Sequence, residues 1–137
     1  MFTDGRVEKI TTKTDDRRWA DTNDNIFITI CDATGSCCRT ELDDRTRDDF
    51  KIGAIDDFTD ASALGECNNK EMKGQVTAKL ELEKNDGWFV NWAKISLTGG
   101  RLFTCNFNVW LDNDSKDLKI TNSKQVICSE GIASKWT

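Results

Sequence analysis

Apolar and polar residues alternate along most of the chain with the two-residue period of β-strands. The alternation is clearest over residues 75–83, where four apolar side chains fall on one face. Residues 84–87, Lys-Asn-Asp-Gly, then form a strong turn signal. The predicted strands cover residues 7–14, 26–31, 38–42, 75–83, 88–97, 101–106 and 107–111, with another ending at Phe58 and one more within 117–128.

Short strands separated by turns, with no amphipathic helix, favour an all-β fold. We predict an antiparallel β-sandwich, with a β-barrel as the alternative. The chain has 137 residues, of which 37% are hydrophobic, enough for one domain with a thin two-layer core. No internal repeat or linker divides it.

Composition removes several classes of function. The net charge of −5 disfavours nucleic acid, whose binding needs clustered Lys and Arg. The sequence has no His, so the commonest general base and every His-containing catalytic triad are absent. No apolar run approaches the roughly 20 residues that cross a bilayer, so we expect a soluble protein without a transmembrane segment.

Six cysteines predict disulfides and an oxidising compartment, with reduced core thiols as the alternative. No CxxC zinc pattern occurs among them. Fifteen pairings are possible, but the neighbours Cys37 and Cys38 are expected to bond elsewhere rather than to each other. The N-terminal residues lack the apolar core of a signal peptide. Secretion therefore implies that a signal was removed and a start Met added, whereas the alternative is a cytosolic protein.

Four blocks in order resemble the PLAT (lipoxygenase-homology, LH2) domain family. Residues 19–28 are similar to the start of its second strand, and 49–58 to its block ending in an acidic–aromatic pair. Residues 80–95 resemble its strand–loop–Trp segment, and 103–112, with Phe103-Thr104-Cys105 and Trp110-Leu111-Asp112, resemble its last block. Their order and spacing identify the chain as a stand-alone member of that family.

The resemblance implies two four-stranded antiparallel sheets and a role in binding lipid or protein, often with calcium at the loops. It implies a sandwich over residues 7–117, preceded by a tail (1–6). A C-terminal extension (118–137) would carry one added strand held by a disulfide. No catalytic domain is attached, and no nucleophile–base constellation stands out. We therefore predict that the protein is not an enzyme.

Two loops offer oxygen ligands of the kind that calcium prefers. Asp21, Thr22 and Asn23 lie in one turn. In the family's fold this turn lies beside the loop that carries Asn85 and Asp86, so the five residues form the predicted Ca²⁺ site. The alternative is that Asp21 and Asn85 only shape their turns. The family usually has Gly at the position of Asp21.

A second calcium site is matched less well. Asp48 and Asp49 resemble the family's acidic pair, but Lys51 places a cation where the family has Glu. A solvated charged loop is the preferred interpretation.

The tryptophans divide by position. Trp19 and Trp110 match positions where the family places loop aromatics that enter lipid headgroups, and an indole prefers such an interface. Packing at the end of the sandwich is the alternative for both. Trp88 is predicted in the core, and Trp92 on the same face by its even spacing. Trp136 lies in an unplaced tail.

Together these features predict a non-catalytic, secreted binding module that docks peripherally on lipid headgroups with calcium assistance. The alternative is an extracellular protein-recognition module or ligand without membrane contact. The sequence does not identify the lipid or protein partner, the disulfide map or the oligomeric state.

Overall fold

A computed structural model of the protein describes residues 5–43, 48–113 and 120–132. The strands are β1 Gly5–Thr14, β2 Ile26–Cys31, β3 Cys37–Glu41, β4 Ile55–Phe58, β5 Glu71–Met72, β6 Thr77–Leu82, β7 Trp88–Leu97, β8 Arg101–Leu111, β9 Ser123–Ile127 and β10 Ser129–Ile132. Helix α1, Ala61–Leu64, and 3₁₀ turns at Gly65–Cys67 and Thr98–Gly100 join some of them. Among the described residues, no helix is long and apolar enough to span a membrane.

The strands form two antiparallel sheets, which confirms the all-β sandwich. The larger sheet has the order β10-β8-β7-β1-β4, with β5 paired to the start of β1, and the smaller has the order β3-β2-β6-β9. The sheets therefore contain six and four strands rather than four each. The larger sheet gains the two-residue β5 and also β10, which pairs with β8.

The C-terminal residues contribute to both sheets. Strand β9 pairs with β6 in the smaller sheet, and β10 pairs with β8 in the larger one. At the other end, β1 begins at Gly5, inside the predicted tail. Residues 1–4, 44–47, 114–119 and 133–137, which include the predicted boundary near 117 and Trp136, lie outside the described residues.

The core lies between the sheets and is built from alternate strand residues. In β6, the buried Ala78, Leu80 and Leu82 alternate with half-exposed neighbours. Strand β2 alternates in the same way and is not buried on both faces. Trp88 is confirmed as a core residue, with its ring 5.1 Å from that of Phe50.

Two predictions in this region were wrong because β-bulges interrupt β7 and β8. Relative to β1, Asn91 is an extra residue in β7. Val90 and Ala93, which are three positions apart, therefore both point into the core, and Trp92 points outward. In β8, the predicted break between residues 106 and 107 is absent, and one strand runs through it. A bulge lies there instead of a chain reversal, with Asn108 at φ 46°.

Three disulfides connect all six cysteines. Cys31 bonds Cys37 across the β2–β3 hairpin, and Cys38 bonds Cys67, which confirms that the adjacent cysteines pair elsewhere. The bond from Cys105 to Cys128 ties β8 to the residue between β9 and β10.

Four loops meet at one end of the sandwich, which we call the rim: residues 15–25, 48–54, 83–87, and 112–113 with 120–122. Main-chain hydrogen bonds join the first loop to its neighbours. Thr22 N donates to Phe50 O at 3.2 Å, Gly53 N to Asp15 O at 3.1 Å, and Phe89 N to Ala20 O at 3.0 Å. These bonds fix which side chains meet at the rim.

Candidate functional site at the rim

Three of the five predicted calcium ligands line one cleft. Asp21 and Asn23 from the first rim loop and Asp86 from the third face a depression of about 540 Å³. Trp19 and Trp110 line the same cleft. The structure thus brings together predicted oxygen ligands from two separate turns and both indoles that the sequence singled out.

The other two predicted ligands are placed differently. Thr22 is buried, and its Oγ1 donates to the main-chain oxygen of Asp86 at 2.5 Å. It therefore bridges the two loops from beneath. Asn85 is exposed and is not part of the lining of the cleft.

Asp24 joins the two loops, a role that the sequence did not indicate. This carboxylate is only 7% exposed. It accepts hydrogen bonds from the main-chain nitrogens of Asn25 at 2.7 Å, Lys84 at 2.8 Å and Asp86 at 3.2 Å. Asp86 in turn accepts a bond from Asn23 N at 2.6 Å. The cleft therefore has a hydrogen-bonded base.

Asp112 is a further carboxylate of the cleft that sequence reasoning did not assign, although it ends the last family-like block. It lies against Gly87: a Cβ at Gly87 would be 3.1 Å from Asp112 Oδ2. Glycine thus leaves room for this carboxylate. The carboxylates of Asp21, Asp86 and Asp112 and the Asn23 amide give the cleft an oxygen lining.

The donor set suits calcium in chemistry, since Ca²⁺ takes carboxylate, amide and main-chain oxygens on flexible loops. Among the described residues, however, no group of three or more Asp, Glu, Cys or His side chains is arranged to hold a metal. A bound ion would therefore have to draw the rim loops closer together.

Lys51 occupies the place of the second predicted site. Its Nζ donates to Asn23 Oδ1 at 3.1 Å and lies 3.4 Å from Asp48 Oδ2. Asp48 and Asp49 line a smaller cleft of about 170 Å³ beside it. An ammonium group thus lies between the first and second rim loops.

The two rim tryptophans differ in how they are supported. Trp19 is 70% exposed, and its φ of 71° lies in the left-handed region, which is uncommon for a bulky side chain. Trp110 is half-buried and meets Phe89 edge-on, with ring centres 5.3 Å apart. Trp19 therefore projects, whereas Trp110 forms a supported wall.

Ile52 is a third apolar residue at the rim, and its role does not follow from the sequence. It is 49% exposed and lies on the second rim loop. A single isoleucine in a charged loop carries no periodic signal, so only the loop arrangement shows that it shares the rim with Trp19.

Asp15 organises the part of the rim next to Phe89, to whose main-chain oxygen its own main-chain nitrogen donates at 3.0 Å. Its Oδ1 accepts from Asn91 Nδ2 at 2.8 Å, and its Oδ2 accepts from Arg17 Nε at 2.5 Å. The hydrogen bond from Asn91, followed by that from Arg17, lowers the pKa of Asp15 from 3.8 to about 2. Held in this way, the Arg17 guanidinium lies 3.7 Å from the centre of the Phe89 ring.

We expect Asn91→Ala to raise the pKa of Asp15 from about 2 towards its ordinary value of 3.8. A depressed carboxyl pKa stabilises the fold above the unfolded value, and this contribution disappears as the pH falls from 3.8 to about 2. As the pH falls from 3.8 to about 2, the free energy of unfolding should therefore decrease less in the variant than in the unaltered protein. An NMR titration of the Asp15 carboxyl carbon measures the pKa, with the exposed Asn106→Ala as control. An unchanged pKa in Asn91→Ala would contradict the assigned cause.

The chain matches no protein-family model and no curated protein. Among solved structures, a coral 8R-lipoxygenase described as calcium-activated via a C2-like domain is 20% identical with a TM-score of 0.64, over 88% of this chain and 16% of that one. The alpha-toxin of Clostridium absonum is 18% identical with a TM-score of 0.60, over 92% and 32%. That of Clostridium perfringens is 15% identical with a TM-score of 0.58, over 90% and 31%.

The chain spans about a sixth of the lipoxygenase and about a third of each toxin. Its fold is therefore that of one part of larger proteins. At this level of identity, the likeness shows that the chain shares their β-sandwich fold.

Proposed function

We propose that the protein is a non-catalytic, secreted module that docks on lipid surfaces through the rim, with calcium assistance. The observation that carries the proposal is the projecting Trp19 beside an oxygen-lined cleft that it shares with Trp110. An indole is favoured at the membrane–water interface because it joins an apolar body to a polar N–H. The residues proposed to meet lipid are Trp19, Trp110 and Ile52.

The charge of the rim explains the need for a cation. The carboxylates of Asp21, Asp86 and Asp112 line the cleft, and the whole chain carries a net charge of −5. Such a surface repels anionic headgroups across the distance of a Debye length. A calcium ion would neutralise the carboxylates and bridge them to phosphate oxygens.

Asp21 and Asp86 would hold the ion, with Asp112 as an added carboxylate, and the Asn23 amide oxygen would join them by exchanging its hydrogen bond from Lys51 for the ion. Thr22, through its bond to Asp86 O, would keep the two loops in register, and Asn85 lies on the loop that would close. Arg17 and Arg18 border this side of the rim, with the Arg18 guanidinium 5.1 Å from the Trp19 ring centre. They are suited to phosphate groups next to an inserted indole.

Further features support the proposal. The PLAT-like blocks imply lipid binding, and the coral lipoxygenase with this fold is described as activated by calcium through its C2-like domain. Three disulfides fit an extracellular protein. The chain spans only one part of the enzymes and toxins that it resembles, in keeping with a binding module.

Vesicle sedimentation tests the proposal. The protein should sediment with vesicles of phosphatidylcholine and phosphatidylserine when calcium is present and remain in solution with a chelator. Burial of the Trp19 indole stabilises docking by about 1.5–3 kcal/mol, so Trp19→Ala should weaken binding roughly 10- to 100-fold. The matched control is Ile127→Ala, because Ile127 is 73% exposed but lies on β9 away from the rim.

Calcium is tested separately by its effect on the melting temperature, since an ion bound only by the folded protein must raise it. Asp86→Asn should reduce that increase. A protein that does not sediment with vesicles at any calcium concentration would contradict lipid docking and favour the protein-recognition alternative. Binding that is equal with calcium and with chelator would remove the metal from the mechanism.

A further inference from the structure

A third depression lies on the solvent face of the larger sheet, away from the rim. We call it the outer groove. It has a volume of about 370 Å³, and its lining includes Trp92, Lys94, Thr104, Asn106, Ser129 and Glu130. These residues come from the central strands β7 and β8 and from the edge strand β10.

The strand register explains why these side chains form a row. Trp92 pairs with Asn106, and Lys94 pairs with Thr104 on the neighbouring strand. Thr104 pairs in turn with Ser129, the first residue of β10. Strand β10 therefore begins beside Thr104. No residue of β10 pairs with Asn106, so the Trp92–Asn106 pair lies where β8 has no β10 neighbour. The bulge at Asn91 is what directs Trp92 to this outer face.

The Glu130 carboxylate lies on the inner face of the sheet, opposite to Trp92 and Lys94, because Glu130 pairs with the buried Phe103. Arg101 holds Glu130 through two parallel bonds, Nε to Oε2 at 2.6 Å and Nη2 to Oε1 at 2.9 Å. Arg101 is only 8% exposed and also donates to Gly74 O at 3.4 Å. The hydrogen bond from Arg101 lowers the pKa of Glu130, which therefore remains ionised and paired with Arg101.

Lys94 supplies a cation at the middle of the outer groove. Its Nζ lies 4.7 Å from the centre of the Trp92 ring. Within residues 5–43, 48–113 and 120–132, no carboxylate pairs with this ammonium in a salt bridge. Because Glu130 is paired with Arg101 on the other face of the sheet, Lys94 gives the outer groove one positive charge on a protein whose net charge is −5.

We propose that the outer groove binds a saccharide that bears a carboxylate group. The C–H face of a pyranose ring would pack on the electron-rich face of the Trp92 indole, which the Lys94 ammonium leaves when it moves to the sugar carboxylate. Sugar hydroxyls both donate and accept hydrogen bonds, as do the Asn106 amide and the hydroxyls of Thr104 and Ser129. Lys94 pairs with the sugar carboxylate.

The combination favours a saccharide over a lipid or a peptide. An acyl chain would leave the polar groups of Asn106, Thr104 and Ser129 without partners, which costs free energy. A peptide added to the sheet would bond to the open edge of β10, whereas the outer groove lies on the face of the sheet. The negative charge of the whole protein disfavours a long polyanion, so a short chain with few carboxylates fits better.

The test uses two pairs of probes that differ in one charge-bearing group: sialyllactose against lactose, and trigalacturonate against its methyl ester. Binding is read by NMR from the indole N–H signal of Trp92, assigned with Trp92→Phe. At least one acidic probe should shift this signal at about 10 mM, a concentration suited to millimolar affinity. Its neutral counterpart should bind about tenfold more weakly, because the charge-assisted bond to Lys94 is absent.

Variants assign the contacts. Trp92→Ala, followed through the NMR signals of the probe itself, should abolish binding of the acidic probe, and Lys94→Gln should reduce its affinity to that of the neutral probe. Lys9→Gln removes an equal charge from the same sheet on β1 and should have no effect. Trp92→Ala should retain vesicle binding, and Trp19→Ala should retain saccharide binding, so the outer groove and the rim are tested independently.

The proposal is overturned if neither acidic probe shifts the Trp92 signal. It is also overturned if the neutral probes bind equally well, or if Lys9→Gln weakens binding as much as Lys94→Gln.

Discussion

A variant with both Cys38 and Cys67 replaced by alanine should lose about 3–4 kcal/mol of its free energy of unfolding, the value expected for a cross-link that closes a loop of this size. The two residues are 29 positions apart, and both are buried. Their bond ties β3, the edge strand of the smaller sheet, to the 3₁₀ turn at Gly65–Cys67. Without it the unfolded chain gains freedom, and β3 depends on its pairing with β2. Urea unfolding measures the loss.

The control is the double alanine variant of Cys31 and Cys37. These residues are 6 positions apart, at the ends of a hairpin that β2 and β3 already form, so the loss should be nearer 2 kcal/mol. Equal losses in the two variants would contradict an account based on the length of the closed loop. Both variants should retain their distribution between vesicles and solution wherever they remain folded, because neither bond contacts the cleft at the rim.

The sequence predicts most of the strands because each long strand has one buried face. In β6, for example, the alternation of Ala78, Leu80 and Leu82 with polar residues is visible without a structure. Strands β5 and β10 have no such signal. Two residues, Glu71 and Met72, form β5 only because β1 offers them partners. Strand β10, in the C-terminal segment, forms in the same way because β8 offers it partners.

Bulges explain the errors in the central strands. An even spacing from Trp88 to Trp92 predicts one common face, but the extra residue at Asn91 reverses that parity. No local pattern shows such an insertion, because it depends on the register with β1 and β8. The outer groove therefore could not be predicted from the sequence, although Trp92 and Lys94 lie in a predicted strand.

The rim shows a similar limit. Its turn residues and its two indoles follow from residue type and from the family-like blocks. The sequence does not show which acidic residue faces the cleft and which lies beneath it, because Asp21 and Asp24 are only three positions apart in one turn. The backbone orients Asp21 towards the cleft and Asp24 towards the main-chain nitrogens of Lys84 and Asp86.

This difference leads to a second large effect: Asp24→Ala should lower the free energy of unfolding by about 3 kcal/mol. The substitution leaves three main-chain N–H groups, those of Asn25, Lys84 and Asp86, without their acceptor. A buried donor that loses its partner costs about 1–3 kcal/mol, and partial hydration of the loops limits the sum. Urea unfolding measures the free energy of unfolding, and vesicle sedimentation with calcium measures whether the rim still docks.

Asp86→Ala separates structure from binding at the same cleft. The Asp86 side chain is exposed and accepts one main-chain bond, from Asn23, so its loss should cost about 1 kcal/mol. Both variants should lose calcium-dependent docking, Asp86→Ala because a ligand is missing and Asp24→Ala because the two loops separate. Asp24→Asn retains one acceptor oxygen and should lie between Asp24→Ala and the unaltered protein in stability. If Asp24→Ala were as stable as Asp86→Ala, the two loops would not depend on the buried carboxylate, and the geometry of the cleft would have to come from Thr22 and the main chain alone.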